Sequence, residues 1–167
     1  ESIHTGHLAV VDGDGGTVLA KGDPSISTYF RSAAKPFQFI PNLTSGAADA
    51  FGYNEQEVAL AVASHSGEDM HVQVAASMLA KAGFTESDLR CGTHFPFDSE
   101  TSKRMKRAGE EPTQLHNNCS GKHAAMLAFA KHIGSGTGDY ESPENRIQGR
   151  ILRCLKDFAE TEEVSLG

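Results

Sequence analysis

Ser32-Ala33-Ala34-Lys35 sets a hydroxyl and an amine three positions apart in the chain. On a helix the i and i+3 positions share a face, so the two groups come within hydrogen-bond reach. Such a pair can do nucleophilic chemistry once the lysine gives up its proton, which requires its pKa to fall from roughly 10.4. Burial, a nearby cation such as Arg31 and the positive end of the helix would all promote that fall. A deprotonated Lys35 would then take the Ser32 proton, while free backbone N–H groups at the helix start would help hold an oxyanion. Taken alone the tetrad is common, and its plain alternative is a helix cap beside a solvated lysine.

Two other segments carry reactive groups. Ser64-His65-Ser66-Gly67-Glu68 places two hydroxyls, an imidazole and a carboxylate on one turn. Ser64 suits a second hydroxyl that relays a proton or binds a substrate's polar head; the alternative is a capped helix start, Ser66 with Asp69, in which only the backbone matters. Asn117-Asn118-Cys119-Ser120-Gly121-Lys122-His123 runs straight into a helix but fails as a phosphate loop. His116 stands where the first glycine of that motif belongs, and His123 where its metal-binding hydroxyl belongs. Cys119 and Lys122, at i and i+3, can converge on a soft metal such as zinc as thiolate and neutral amine. A buried thiol and a lysine paired with a carboxylate are the alternative. His94 is an acid–base candidate or a structural loop histidine, and Asp12 and Asp14 read as turn formers.

The elements that must hold these groups are mostly helical. Leu8–Val11 and Thr17–Ala20 are β-favouring runs around a Gly- and Asp-rich loop, an antiparallel hairpin. A helix follows Ser32, with Pro36 in its first turn, where a missing N–H costs little. Asn54 with Glu57 forms a capping box before a helix over Glu55–Ala63, with a buried strand over Val58–Val62 as the alternative. Met70, Val74, Met78 and Leu79 mark the core face of a helix closing at Gly83. A polar helix covers Ser99–Ala108, with Lys103–Arg107 as its solvated face, and an apolar one Lys122–Ile133. Ser142-Pro143 reads as a helix start, cap then Pro, with Ile147, Ile151, Leu155 and Phe158 on the buried face and Cys154 beside it.

A chain of 167 residues with 38% hydrophobic content suits one globular unit. Its formal charge of -7 disfavours phosphate backbones and anionic membrane surfaces, whose binding draws on clustered Lys and Arg. No apolar stretch approaches the ~18 residues of a bilayer span, and no signal-peptide pattern opens the chain. The 3 cysteines, Cys91, Cys119 and Cys154, cannot all pair and do not form a CxxC motif, so reduced thiols are expected. A cytoplasmic protein with no nucleic-acid or membrane partner follows. Glu1 enters a strand pattern at once and Val164–Gly167 reads as the start of another strand, so the chain is expected to be a fragment. Strands at the two ends with helices between them argue against a βαβ sheet and for an α+β fold.

Taken in order, several motifs resemble those of type II asparaginases, the rhizobial, thermolabile branch. They are Glu1-Ser2-Ile3-His4 with Gly6, Arg31-Ser32-Ala33-Ala34-Lys35-Pro36, Ala63-Ser64-His65-Ser66-Gly67-Glu68 with His71, Cys91-Gly92 with His94 and Pro96, and Asn117 to His123. The resemblance spans essentially the whole chain. It implies a serine β-lactamase-like or glutaminase-like α+β fold, one domain over 1–167 with a hairpin at 1–22 and a helical part at about 32–160. It also implies hydrolysis of L-asparagine to aspartate and ammonia. By that resemblance Ser32 and Lys35 are the nucleophile and its base, Ser64 is the hydroxyl of a second Ser-Lys pair, and Arg31, Ser64 and His65 hold an amino-acid amide substrate. Cys119 and Lys122 resemble two of three ligands to a zinc ion (Zn2+). The third ligand, a Cys in a G-x-D-G-C-like strand, and the second catalytic Lys are expected beyond Gly167; Cys154 lies in the wrong motif to substitute. A homodimer stays open. The rival readings are a non-catalytic zinc- or ligand-binding domain of the same fold and a penicillin-recognising acyl-enzyme.

Overall fold

Asp12 turns the chain of the first hairpin back on itself. Its Oδ1 accepts from the backbone N–H groups of Asp14 and Gly16, at 3.0 and 2.7 Å, and Gly15 supplies the positive φ the loop needs. Strand β1 (Leu8–Val11) thereby pairs antiparallel with β2 (Thr17–Lys21), Val10 opposite Leu19, with an irregularity after Val10. This computed structural model describes residues 1–164. They fall into two units, Glu1–Phe30, which holds the hairpin, and the residues from Arg31 onward. The strand expected at Val164–Gly167 falls on 165–167, outside the described residues, and Val164 belongs to no element. Among the described residues no helix is long and apolar enough to cross a membrane.

The second unit is helical. A 3-10 turn (Arg31–Ala34) runs into α1 (Lys35–Thr44), followed by α2 (Ala47–Ala50), α3 (Glu55–Val62), α4 (Asp69–Ala82), α5 (Ser99–Ala108), α6 (Ser120–His132) and α7 (Arg146–Ala159). With the hairpin this makes an α+β fold. Helix α6 is the centre: Ala124, Ala125, Leu127, Ala128, Phe129 and Ala130 are all buried, so it is wrapped on every side, by α1, α2, α3, α4 and α7. Its small residues let neighbours approach closely. A Cβ at Gly121 would stand 2.6 Å from Leu60 O of α3, nearer than real Cβ atoms come, so glycine is required where the two helices meet.

Local signals placed most elements correctly; the cap of α4, the start of α7 and the burial of some residues on their faces differ. Ser66 does not cap α4; Glu68 is its N-cap and Ser66 Oγ donates to the Glu68 carboxylate at 2.7 Å. Met70, expected in the core, is exposed, because the buried face of α4 runs through Ala75, Met78, Leu79 and Ala82. Helix α7 starts after Ser142-Pro143, at Asn145, whose Oδ1 accepts from Ile147 N at 3.1 Å while its Nδ2 donates to Gly136 O at 2.8 Å. Asn145 wins because it satisfies the helix end and the preceding loop together. Phe158 is likewise exposed, resting its ring against Phe37, and Cys154, beside the buried face, is half-buried.

The capping box of α3 doubles as a buried ionic node. Glu57 is 1% exposed; it accepts from Asn54 N, Ser77 Oγ and Lys81 Nζ at 2.8, 2.8 and 2.6 Å, which ties α3 to α4. Burial alone would push its carboxyl up in pKa, but these donors outweigh it and hold it below the ordinary carboxylate range. Glu57→Ala strands a partly buried cation and two further donors, and is expected to cost about 2–3 kcal/mol in urea unfolding followed by circular dichroism. In the native chain the Glu57 contribution should be full above the unfolded carboxylate range and fade as pH falls through the folded pKa.

Candidate active site

Three segments converge on Lys35. The 3-10 turn carries Ser32, the 63–68 loop between α3 and α4 carries Ser64, and the 117–119 loop leads into α6. Lys35 opens α1 and is only 3% exposed, yet its amine is fully engaged. Nζ donates to Ala63 O at 2.7 Å, to Ser64 Oγ at 2.8 Å and to Asn118 O at 3.2 Å. Ser64 Oγ in turn donates to Ser32 Oγ at 2.7 Å. Both hydroxyls are exposed, so a buried amine is connected to the surface by two linked hydroxyls.

This differs from the geometry expected of an isolated S-x-x-K helix face. The hydrogen bond of the Lys35 amine goes to Ser64, and Ser64 stands between it and Ser32. Two backbone carbonyls pull the amine toward the 63–68 loop, and local helix geometry has no knowledge of them. The cause of the lowered pKa differs as well. Burial is the largest effect on Lys35, and the cation that adds to it is Lys122; Cys119 opposes both. Arg31 contributes through its place in the chain: it is exposed and takes a φ of 50°, a left-handed conformation that non-glycine residues seldom adopt.

His65 is buried and both its ring nitrogens are occupied. Gly67 N donates to Nδ1 at 3.2 Å, so the proton sits on Nε2, which donates to Ser120 Oγ at 2.9 Å; Ser120 Oγ in turn donates to Leu115 O at 3.0 Å. Burial, then His71 and Lys35, push the His65 pKa down to about 4. His94 is built into its loop: Nδ1 bonds Phe95 O at 2.8 Å, Asn118 N donates to Nε2 at 3.2 Å, and the ring stacks on Phe97. His123 lies within hydrogen-bond distance of Tyr140 Oη at 2.8 Å, and burial, aided by Lys122, pushes it down to about 3.

Beside Ser64 a groove of about 510 Å³ opens between α3 and the start of α4, lined by Leu60, Ser64, Ser66, Glu68, Met70 and His71. It is large enough for an amino-acid-sized ligand. Cys119 and Lys122 both sit half-buried at the start of α6. Cys91, its thiol pushed up to about 11 chiefly by burial, is a poor thiolate donor. Among the described residues no three His, Cys, Asp or Glu side chains are grouped to hold a metal ion. A thiol and an amine fall short of the four donors zinc takes, so these residues do not by themselves make a metal centre.

Sequence reasoning missed the participants that act through backbone, Ala63 O and Asn118 O, and the supporting hydroxyl of Ser120. A carbonyl has no residue signature; the one available hint was that both neighbour motifs already singled out. Among protein-family models, the one described as L-asparaginase II matches residues 1–167. No curated protein matches the chain.

The depressed histidines set an expectation for pH. His65 and His123 should stay neutral in proton-detected NMR titrations until well below pH 5. Because the unfolded chain binds those protons first, stability should be full above about pH 6.5 and decline as pH falls toward the folded values.

Proposed function

The chain belongs to the L-asparaginase II family of amide-hydrolysing enzymes, and on that premise we propose that it hydrolyses L-asparagine to L-aspartate and ammonia with Ser32 as nucleophile. The link from Lys35 Nζ through Ser64 Oγ to Ser32 Oγ, 2.8 and 2.7 Å, carries the proposal.

The same contacts serve both protonation states of the amine. As an ammonium, Lys35 donates to Ala63 O, Asn118 O and Ser64. As a neutral amine it keeps its two N–H groups on the carbonyls and turns its lone pair to Ser64, so the chain reverses: Ser32 donates to Ser64 and Ser64 to Lys35. Burial favours the neutral form. Ser32 Oγ then attacks the side-chain amide carbon as its proton passes to Ser64 and the Ser64 proton to Lys35. Collapse of the tetrahedral intermediate breaks the C–N bond; the proton returns through Ser64 to the departing nitrogen, and ammonia leaves. Water, activated by the same relay, hydrolyses the aspartyl ester and regenerates Ser32.

Arg31, next to the nucleophile, is the proposed holder of the substrate carboxylate, and the groove beside Ser64 the proposed seat of the rest. His65, whose ring nitrogens both bond within the protein, has no free group for substrate. The fold in this proposal is the serine β-lactamase-like one, with the nucleophile just ahead of α1. Zinc at Cys119 and Lys122, completed by other donors, belongs to the proposal but to none of its steps. Loss of bound zinc from Cys119→Ser in metal analysis would bear it out, and an unchanged metal content would remove it.

Ser32→Ala should abolish ammonia release from L-asparagine. Ser64→Ala, which leaves nucleophile and base in place but breaks the link, should lower kcat by about 10²- to 10⁴-fold, the usual worth of positioned proton transfer. Wild-type kcat in Ser64→Ala would mean that Lys35 reaches Ser32 without the relay.

A further inference from the structure

Lys35 works as a base only if its lone pair points at Ser64, and two carbonyls decide where it points. Ala63 O and Asn118 O belong to segments far apart in the chain, so something must hold their separation constant. Three contacts of one residue do so. His65 N donates to Asn118 O at 3.2 Å, the same oxygen that accepts from Lys35. The His65 ring donates to Ser120 Oγ at 2.9 Å, at the start of α6. Its Nδ1 accepts from Gly67 N at 3.2 Å, which stiffens the loop carrying Ala63 and Ser64. The fit is close enough that a Cβ on Gly67 would stand 2.7 Å from His116 O.

We propose that His65 is a positioning residue, a latch between the 63–68 and 115–120 segments that fixes the Lys35 amine toward Ser64 without touching substrate. This rests on the nucleophile reading above. Loss of the ring leaves Gly67 N without its acceptor and Ser120 Oγ, still bonded to Leu115 O, without its donor, and lets the two carbonyls drift apart. A shift on the order of 1 Å in a reacting geometry is enough for about a hundredfold loss of rate. A glutamine can restore the donor to Ser120, since its amide nitrogen lies as far out as Nε2; an alanine cannot.

The test reads Ser32 directly, by its labelling rate with a fluorophosphonate, beside kcat and KM for L-asparagine and thermal unfolding. His65→Ala is expected to slow labelling and kcat by about tenfold or more with KM within about twofold, and His65→Gln to recover most of the loss. Ser120→Ala, which keeps the buried volume, should slow labelling as well, and the double variant should be no slower than the worse single one. If His65→Ala does not fold, Ser120→Ala and His65→Gln decide. Wild-type labelling in folded His65→Ala or Ser120→Ala, or a raised KM with kcat unchanged, overturns the latch. A wild-type chain that is labelled yet leaves L-asparagine untouched removes the substrate and not the latch. One whose Ser32 takes no label removes both.

Discussion

A buried lysine amine with three acceptors is the constraint on which the rest of this structure turns. Lys35 has to be shielded enough for its pKa to fall, and each of its N–H groups still has to find a partner, because an unpaired buried amine is costly. Two main-chain carbonyls and one hydroxyl meet both demands. They do so without a carboxylate, which would hold the proton on the amine and raise its pKa. The nearby thiol, Cys119, is the group that pulls the other way.

The helical unit is arranged to supply those acceptors. Helix α6 runs through the middle of the core, and its N-terminus brings Asn118 and Ser120 to the ends of α1 and α3. Gly121 allows α6 to come against Leu60 O, and the Glu57 node locks α3 to α4 on either side of the loop that bears Ser64. Each of these is a packing or hydrogen-bonding decision made away from the reacting groups. Together they tie the loops that carry Ser64 and Asn118 to the helices on either side.

Much of this was legible from short range. The Asn54–Glu57 capping box, Pro36 in the first turn of α1, Gly83 at the end of α4 and the Asp12 turn all depend on residues within about four positions of one another, where local geometry dominates. The misreadings share one origin. Ser142-Pro143 lost its role as a helix start to Asn145, which also bonds the loop before it, and Met70 fell outside the core because the packing direction of α4 is set by α6.

Sequence by itself determined which groups are available: a hydroxyl at Ser32, an amine at Lys35, a second hydroxyl at Ser64 and a thiol at Cys119, each in an ordered motif, and the family that the order indicates. Only the tertiary structure decided how they are connected. It placed Ser64 between the Lys35 amine and the Ser32 hydroxyl, made Lys122 rather than Arg31 the cation that bears on Lys35, and buried His65 with both nitrogens in use. The reason is distance along the chain. The carbonyls that orient Lys35 come from 28 and 83 residues away, and main-chain oxygens look alike in every residue until folding selects two of them.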